Sequence, residues 1–396
     1  MFISNSERVW TDSKVPSLKD LFAPYFEYFG LCTDSKRLIL LRDGITKHAS
    51  SVTMENEFKP QFLFRWFSQK PVLDGTFTSS AGVTISVPKM NGLVHIADIL
   101  ELCRQYGLKM QGHTLIWHAQ TDEAFFHQDY DIEGPLAGKE EMTAREEWYI
   151  KSVITFVQNW ENKNNDGKHI VYQWDVINDP FDDQGKDLRK NSRWYDIFGN
   201  DLFIINAFAF ANKYAAPDVK LCFNGSEDHK RDLTCRMVKK ILEHNKGPLP
   251  CRLNIIGIHS HLYTNYNLEN YKKSLEAFLE LGIDLAVTEL DVATLNGIPY
   301  RVKKTATFYK KYFSLILNYA KKDERPGISS VTLWGINDEA TWLNLKFMGM
   351  EKAQFPLLFK RDEENLVVTK PTFWALVKAV NKFSKSKKTA LFSYVY

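Results

Sequence analysis

The sequence predicts an α/β fold, a single (β/α)8 TIM barrel, on three observations. Eight short β-rich runs alternate with segments of helical periodicity along 396 residues. No Pro/Ser linker or break in composition interrupts the alternation, which favours a parallel sheet within one domain. Polar residues gather at the C-terminal end of each run, the end that carries the chemistry in a barrel of this kind.

YFGLCT (28–33) and SSVTME (50–55) come first. KMQGHTLIW (109–117) follows GLVHIADILELCRQYG, an amphipathic helix whose apolar residues recur at i, i+3, i+4 and i+7. VYQWDVIN (171–178) follows the helix EEWYIKSVITFVQNW, and KLCFNG (220–225) follows FIINAFAFANKYA. The helix TCRMVKKILEHN leads to IIGIHSHL (255–262), and LENYKKSLEAFLELG leads to LAVTELDV (285–292). After ATFYKKYFSLILNYAKK comes SVTLWGI (330–336), and PTFWALVKAV reads as the closing helix. Arg65 to Pro88 and Glu123 to Thr143 are long for barrel loops and are expected to carry subsite or cleft-wall contacts. The expected organisation is one catalytic domain over residues 1–396, with a core at about 18–383, a short N-terminal extension and a Lys-rich C-terminal tail.

Composition narrows the function. The net charge of +3, from 51 basic and 48 acidic side chains spread along the chain, makes nucleic acid a poor partner. The Lys-rich stretch around Lys382 to Lys388 reads as a solvated end. Aromatic residues make up 14% and often lie beside polar motifs, which favours a ligand lined by flat rings. Cys32, Cys103, Cys222, Cys235 and Cys251 are odd in number and lack C-x-x-C spacing, so they read as reduced core thiols. No stretch approaches the roughly 20 apolar residues of a membrane span. As written the chain reads as cytoplasmic, although a native signal replaced by a start methionine would look the same.

Two acids carry the chemistry. Glu289 lies in LAVTELDV and Asp179 follows YQWDVIN, each at the end of an apolar strand, as acid-assisted displacement at a sugar carbon requires. The runs VTMENEFKP, GHTLIWHAQ, WDVIND, VTELDV and LWGINDEATW, in this order, resemble the motifs of the family-10 glycoside hydrolases, the retaining endo-1,4-β-xylanases. The resemblance extends from about Leu18 to Phe383.

It implies Glu289 as the nucleophile, with His261 of H-S-H holding it ionised, and Asp179 where the family has its general acid/base glutamate. Aspartate is one methylene shorter, so the proton stops on the order of 1 Å short, a misplacement that can cost about 10²-fold. Three readings stay open: a slower acid with a compensating backbone shift, a site that binds without turnover, and an introduced substitution. Glu227 of FNGSE is a further candidate donor. The resemblance also implies sugar contacts from Glu55, Asn56 and Lys59, from His113, Trp117 and Gln120, and from Asn178 to the 2-hydroxyl. His118 is expected behind the site. His259 stands where the family has Gln, and Trp334 and Trp342 are expected to stack on pyranose faces. Gly225 and Ser226 replace the usual Asp-Tyr after Asn224.

The expected activity is retaining endo-hydrolysis of xylan or xylo-oligosaccharides, with no cofactor. The histidine pairs 113/118 and 259/261 supply no consistent metal-ligand set. A xylan-binding pseudoenzyme and another β-1,4-glycosidase on the same barrel are the alternatives. Oligomeric state is unknown.

Overall fold

The computed structural model describes residues 7–67, 69–294, 300–345, 348–350 and 352–393, with side chains of the last helix described up to residue 386. In chain order the strands are β1 (Tyr28–Thr33), β2 (Ser51–Met54), β3 (Leu73–Thr78), β4 (Thr84–Pro88), β5 (Lys109–Trp117), β6 (Val171–Asn178), β7 (Lys220–Ser226), β8 (Ile255–Tyr263), β9 (Asp284–Ala293), β10 (Ile328–Leu333), β11 (Phe359–Arg361) and β12 (Val367–Thr369). Eight of them close a barrel in the order β1-β10-β9-β8-β7-β6-β5-β2. All eight expected runs are barrel strands, and β1, β5 and β6 match them to the residue. The eighth differs most, ending at Leu333 instead of Ile336. Gly335 there adopts φ 136°, which turns the chain out of the strand, while Trp334 N–H still donates to Leu290 O at 2.8 Å.

The chain forms two compact units, residues 53–257 and residues 1–52 with 258–396. In the first, Trp174 of β6 fills the interior, and Gly112 of β5 is required beneath it. A Cβ at 112 would lie 2.4 Å from the indole ring. The helix Lys139–Asn164 runs 26 residues and buries Tyr149, Val153, Val157 and Glu161 at i+4 spacing. The Glu161 carboxylate accepts from Ile170 N at 2.7 Å and Val171 N at 2.9 Å, tying the helix end to the start of β6. This helix begins inside the segment expected to be a loop. Its first turn carries Glu140 and Glu141, favourable at the positive end of the helix dipole. Arg145 then anchors it through Phe125 O at 2.7 Å and His127 O at 2.8 Å, contacts that leave no trace in apolar periodicity.

The other long loop contains the antiparallel hairpin β3/β4, which the sequence did not announce. Its first strand is exposed almost throughout and has no apolar face to detect. Ser80 at the turn is held by Glu147 of the long helix, whose carboxylate accepts from Ser80 N at 2.7 Å.

In the second unit, the helices Val302–Ile316 and Pro371–Ser393 pack together. The expected Lys-rich tail continues the closing helix, since lysine is a good helix former, and Lys382 and Lys385 are exposed. The side chains of Lys387 and Lys388 lie outside the described residues. No helix among the described residues is long and apolar enough to cross a membrane.

Glu146, on the same long helix, is fully buried. Its Oε1 has no hydrogen-bond partner among the described residues, and Asn206 Nδ2 lies 3.5 Å from Oε2. Burial therefore holds its carboxyl well above the ordinary value. A carboxyl raised in the folded state favours folding below the unfolded value of about 4.3, and loses about 1.4 kcal/mol per pH unit as pH rises toward the folded value. Glu146→Gln is expected to equal the parent near pH 4 and to be the more stable protein at pH 7 to 8, read from thermal unfolding at both. Equal stabilities at pH 8 would refute a buried, strained acid.

Candidate active site

Side chains two apart on a strand share a face. On β9 this puts Glu289 and Asp291 together, and on the neighbouring β8 it puts His259 and His261 together. The four interlock. His259 Nε2 lies 2.9 Å from Glu289 Oε1, and His261 Nε2 is hydrogen bonded to Glu289 Oε2 at 3.1 Å. His261 Nδ1 lies 3.0 Å from Asp291 Oδ2, which also accepts from Trp342 Nε1 at 2.8 Å. Burial opposes a charge on His261, but the Asp291 and Glu289 carboxylates overcome it and push the imidazole up to about 10. His261 Nε2 is thus hydrogen bonded to Glu289, while its Nδ1 faces the Asp291 carboxylate at ion-pair distance. Its contribution to folding is complete below about pH 6.5 and is lost as pH rises through about 10. Glu289 is 5% exposed, with its two oxygens beside two imidazoles. The His261 ring lies 4.8 Å from that of Trp342 and 6.2 Å from that of Trp334, so the two expected stacking residues border the same carboxylate.

In the unit of residues 53–257, Asn56, Lys59, Trp117 and Gln120 come together. Lys59 Nζ donates to Gln120 Oε1 at 2.8 Å and to Asn56 Oδ1 at 3.3 Å, and it lies 4.6 Å from the centre of the Trp117 ring. Gln120 Nε2 closes the set on Asn56 Oδ1 at 3.1 Å. Glu55 directly precedes Asn56 beyond the end of β2 and is half-buried. His113 is 2% exposed, its Nδ1 2.9 Å from Asp175 Oδ2. Asp175 also accepts from Gln111 at 2.6 Å and Gln173 at 3.0 Å, making a buried carboxylate the hub of this floor. Asn178 ends β6 and accepts from Asn224 Nδ2 of β7 at 2.8 Å, in register with it.

Asp179 follows with φ 48°, a left-handed conformation that aspartate tolerates better than most residues. Its N–H donates to Asn224 O at 3.1 Å, which brings its backbone against Gly225. A Cβ at 225 would lie 2.6 Å from Asp179 N and 2.7 Å from its Cα, so the glycine and the aspartate form one feature. The Asp179 carboxylate is ion-paired twice, Oδ1 to Lys230 Nζ at 2.6 Å and Oδ2 to Arg189 Nη2 at 3.0 Å. His118 lies behind, hydrogen bonded to the Asp179 backbone. Burial first, and then the Arg189 charge, push its imidazole down to about 4.

Sequence reasoning did not find Lys230, Arg189 or Asp291 as site residues. Asp291 was detectable, two residues beyond Glu289 on the same strand face. Lys230 and Arg189 lie 51 and 10 positions from Asp179 in loops whose course no local pattern reveals.

A closed eight-stranded barrel with a histidine-flanked carboxylate near the end of one strand has the features of a barrel enzyme. The family model for glycosyl hydrolase family 10 matches residues 17–379, and the chain belongs to that family. It is 33% identical to endo-1,4-beta-xylanase B of Butyrivibrio fibrisolvens over 377 residues, 92% of this chain and 53% of that protein. The Clostridium thermocellum endo-1,4-beta-D-xylanase 10B modules, solved with xylohexaose, superpose with a TM-score of 0.73 at 28% identity, covering 92% of this chain and 67% of that one. An intracellular xylanase from Thermoanaerobacterium saccharolyticum gives 0.71 at 28% identity, covering 92% and 99%. The chain spans about a third to a half of the length of the first curated relatives it matches.

Proposed function

We propose that this chain is a glycoside hydrolase that cleaves internal β-1,4 bonds of xylan or xylo-oligosaccharides with retention, acting as a single catalytic domain. The observation that carries this reading is the Glu289 carboxylate, held between His259 and His261 near the end of a buried strand. In the first step a Glu289 oxygen attacks the anomeric carbon, the glycosidic C–O bond breaks, and Asp179 supplies a proton to the departing oxygen. In the second, water attacks the anomeric carbon, Asp179 takes its proton, and Glu289 leaves as carboxylate. Asn56, Lys59, Gln120, Trp117, Glu55 and His113 are assigned to the sugar preceding the cleaved bond, with Asn178 on its 2-hydroxyl. Trp334 and Trp342 supply flat apolar faces for pyranose rings. The xylanase names of the relatives support xylan-type substrates, and five cysteines, an odd number without C-x-x-C spacing, suit a reducing, cytoplasmic site of action.

Incubation with a 2-deoxy-2-fluoro-xylobioside bearing a dinitrophenolate leaving group tests the nucleophile, because the fluorine slows release of the glycosyl-enzyme. The peptide containing Glu289 is expected to gain the mass of one fluoro-xylobiosyl group. A label on another residue, or none, would sink the assignment.

A further inference from the structure

General acid catalysis needs an O–H directed at the departing oxygen, whereas general base catalysis needs an acceptor. Asp179 is built into a clamp that favours the second role over the first. Each of its oxygens faces its own cation, Lys230 Nζ at 2.6 Å and Arg189 Nη2 at 3.0 Å. These cations are 3% and 13% exposed, and each holds one further carboxylate, Glu227 Oε1 2.8 Å from Lys230 and Asp183 Oδ1 2.6 Å from Arg189. Burial works against both charges, yet the carboxylates overcome it and raise Lys230 and Arg189 above their ordinary values. His118 is a further ionisable neighbour, whose low value leaves it neutral. The clamp is not a mobile surface pair. Asp179 sits in a left-handed backbone conformation against Gly225, whose own φ of 97° and lack of a Cβ make the close approach possible.

We propose that Lys230 and Arg189 weaken Asp179 as an acid while leaving it a base, so that this chain cleaves β-xylosides with acidic leaving groups, phenols foremost, much faster than those whose leaving group is a sugar. The inference rests on the retaining mechanism proposed above and specifies its leaving-group class. With a phenolic xyloside, Glu289 forms the bond to the anomeric carbon and the C–O bond breaks. Its electron pair leaves on the phenolate, which needs no proton from the protein. Water then attacks the anomeric carbon, its proton passes to Asp179 and on to solvent, and Glu289 is released. Both steps balance with water as the only co-reactant. Lys230 is a positioning residue in this scheme, since it acts through Asp179.

The test is a series of aryl β-xylobiosides from dinitrophenyl to phenyl. A positioned general acid contributes about 10² to 10⁴-fold, and its absence falls on poor leaving groups alone. The parent is therefore expected to show a dinitrophenyl-to-phenyl ratio of kcat/KM of about 10² or more. Lys230→Met is expected to reduce that ratio about tenfold, because one of the two cations that disfavour a proton on Asp179 is then gone. Arg189→Gln, at a more exposed position, is expected to move the ratio the same way and serves if Lys230→Met fails to fold. A ratio near one in the parent, or a ratio unmoved in a folded variant, overturns the clamp. Labelling of Glu289 together with such a flat series overturns this inference alone, whereas no labelling and no aryl hydrolysis overturns the proposed function and the clamp with it.

Discussion

Glu289→Gln is expected to lower kcat on dinitrophenyl β-xylobioside by about 10⁴-fold or more, with little change in KM, because the amide keeps the shape of the side chain but loses the nucleophilic charge. Dinitrophenolate departs without a proton, so the substrate reports on Glu289 with the acid step removed from the measurement. The same change should be visible at His261. Its imidazolium depends on Asp291 first and on Glu289 second, so the ring should stay elevated in the variant, yet below about 10. Titration of the His261 ring by NMR checks this. A variant that retains activity within tenfold, or a His261 ring that does not move, would show that the carboxylate between the two histidines is not the reacting group.

The second large effect concerns stability. In the unit of residues 1–52 with 258–396, Lys370 is buried and lies 2.5 Å from Asp338, while its Nζ donates to Leu357 O at 2.8 Å and to Phe355 O at 2.9 Å. Burial pushes Asp338 up to about 6 against the attraction of Lys370, and pushes Lys370 down. Taking two charges out of water is costly, so the pair need not exceed a hydrophobic replacement. Removing one partner leaves the other charge uncompensated, at about 3 to 5 kcal/mol. Lys370→Met is expected to cost that much in urea unfolding at pH 7.5. The sign of its pH dependence follows from Asp338. A carboxyl raised in the folded state favours folding below about 3.9 and loses that contribution as pH rises through the folded value. Without Lys370 the folded value climbs further, so the deficit should be smaller at pH 4.5 than at 7.5. Adding Asp338→Asn should recover much of the loss. Equal deficits at both pH values, or no recovery in the double variant, would refute a buried ion pair.

The hairpin and the clamp show where local reasoning ended. β3 is exposed and polar, and it is a strand because Ser80 and Glu147 fasten its turn to a helix 67 positions away. No periodicity records such a tether. The start of the long helix at Lys139, ahead of the expected Glu146, was missed for the same reason, since Arg145 ties it to two backbone carbonyls.

The barrel strands and the Glu289 site were legible because their determinants are short-range. Strand burial writes apolar runs of four to ten residues, and the period of two places His259 with His261 and Glu289 with Asp291 on shared faces before any tertiary contact forms. The sequence alone therefore determined the fold class and the strand-end places of Glu289 and Asp179. The tertiary structure decided what kind of carboxylate Asp179 is. Its partners are cations 10 and 51 positions away, and the glycine beneath it belongs to the next strand. Charge acts through distance in space, and loops bring those distances about without leaving a pattern in the chain.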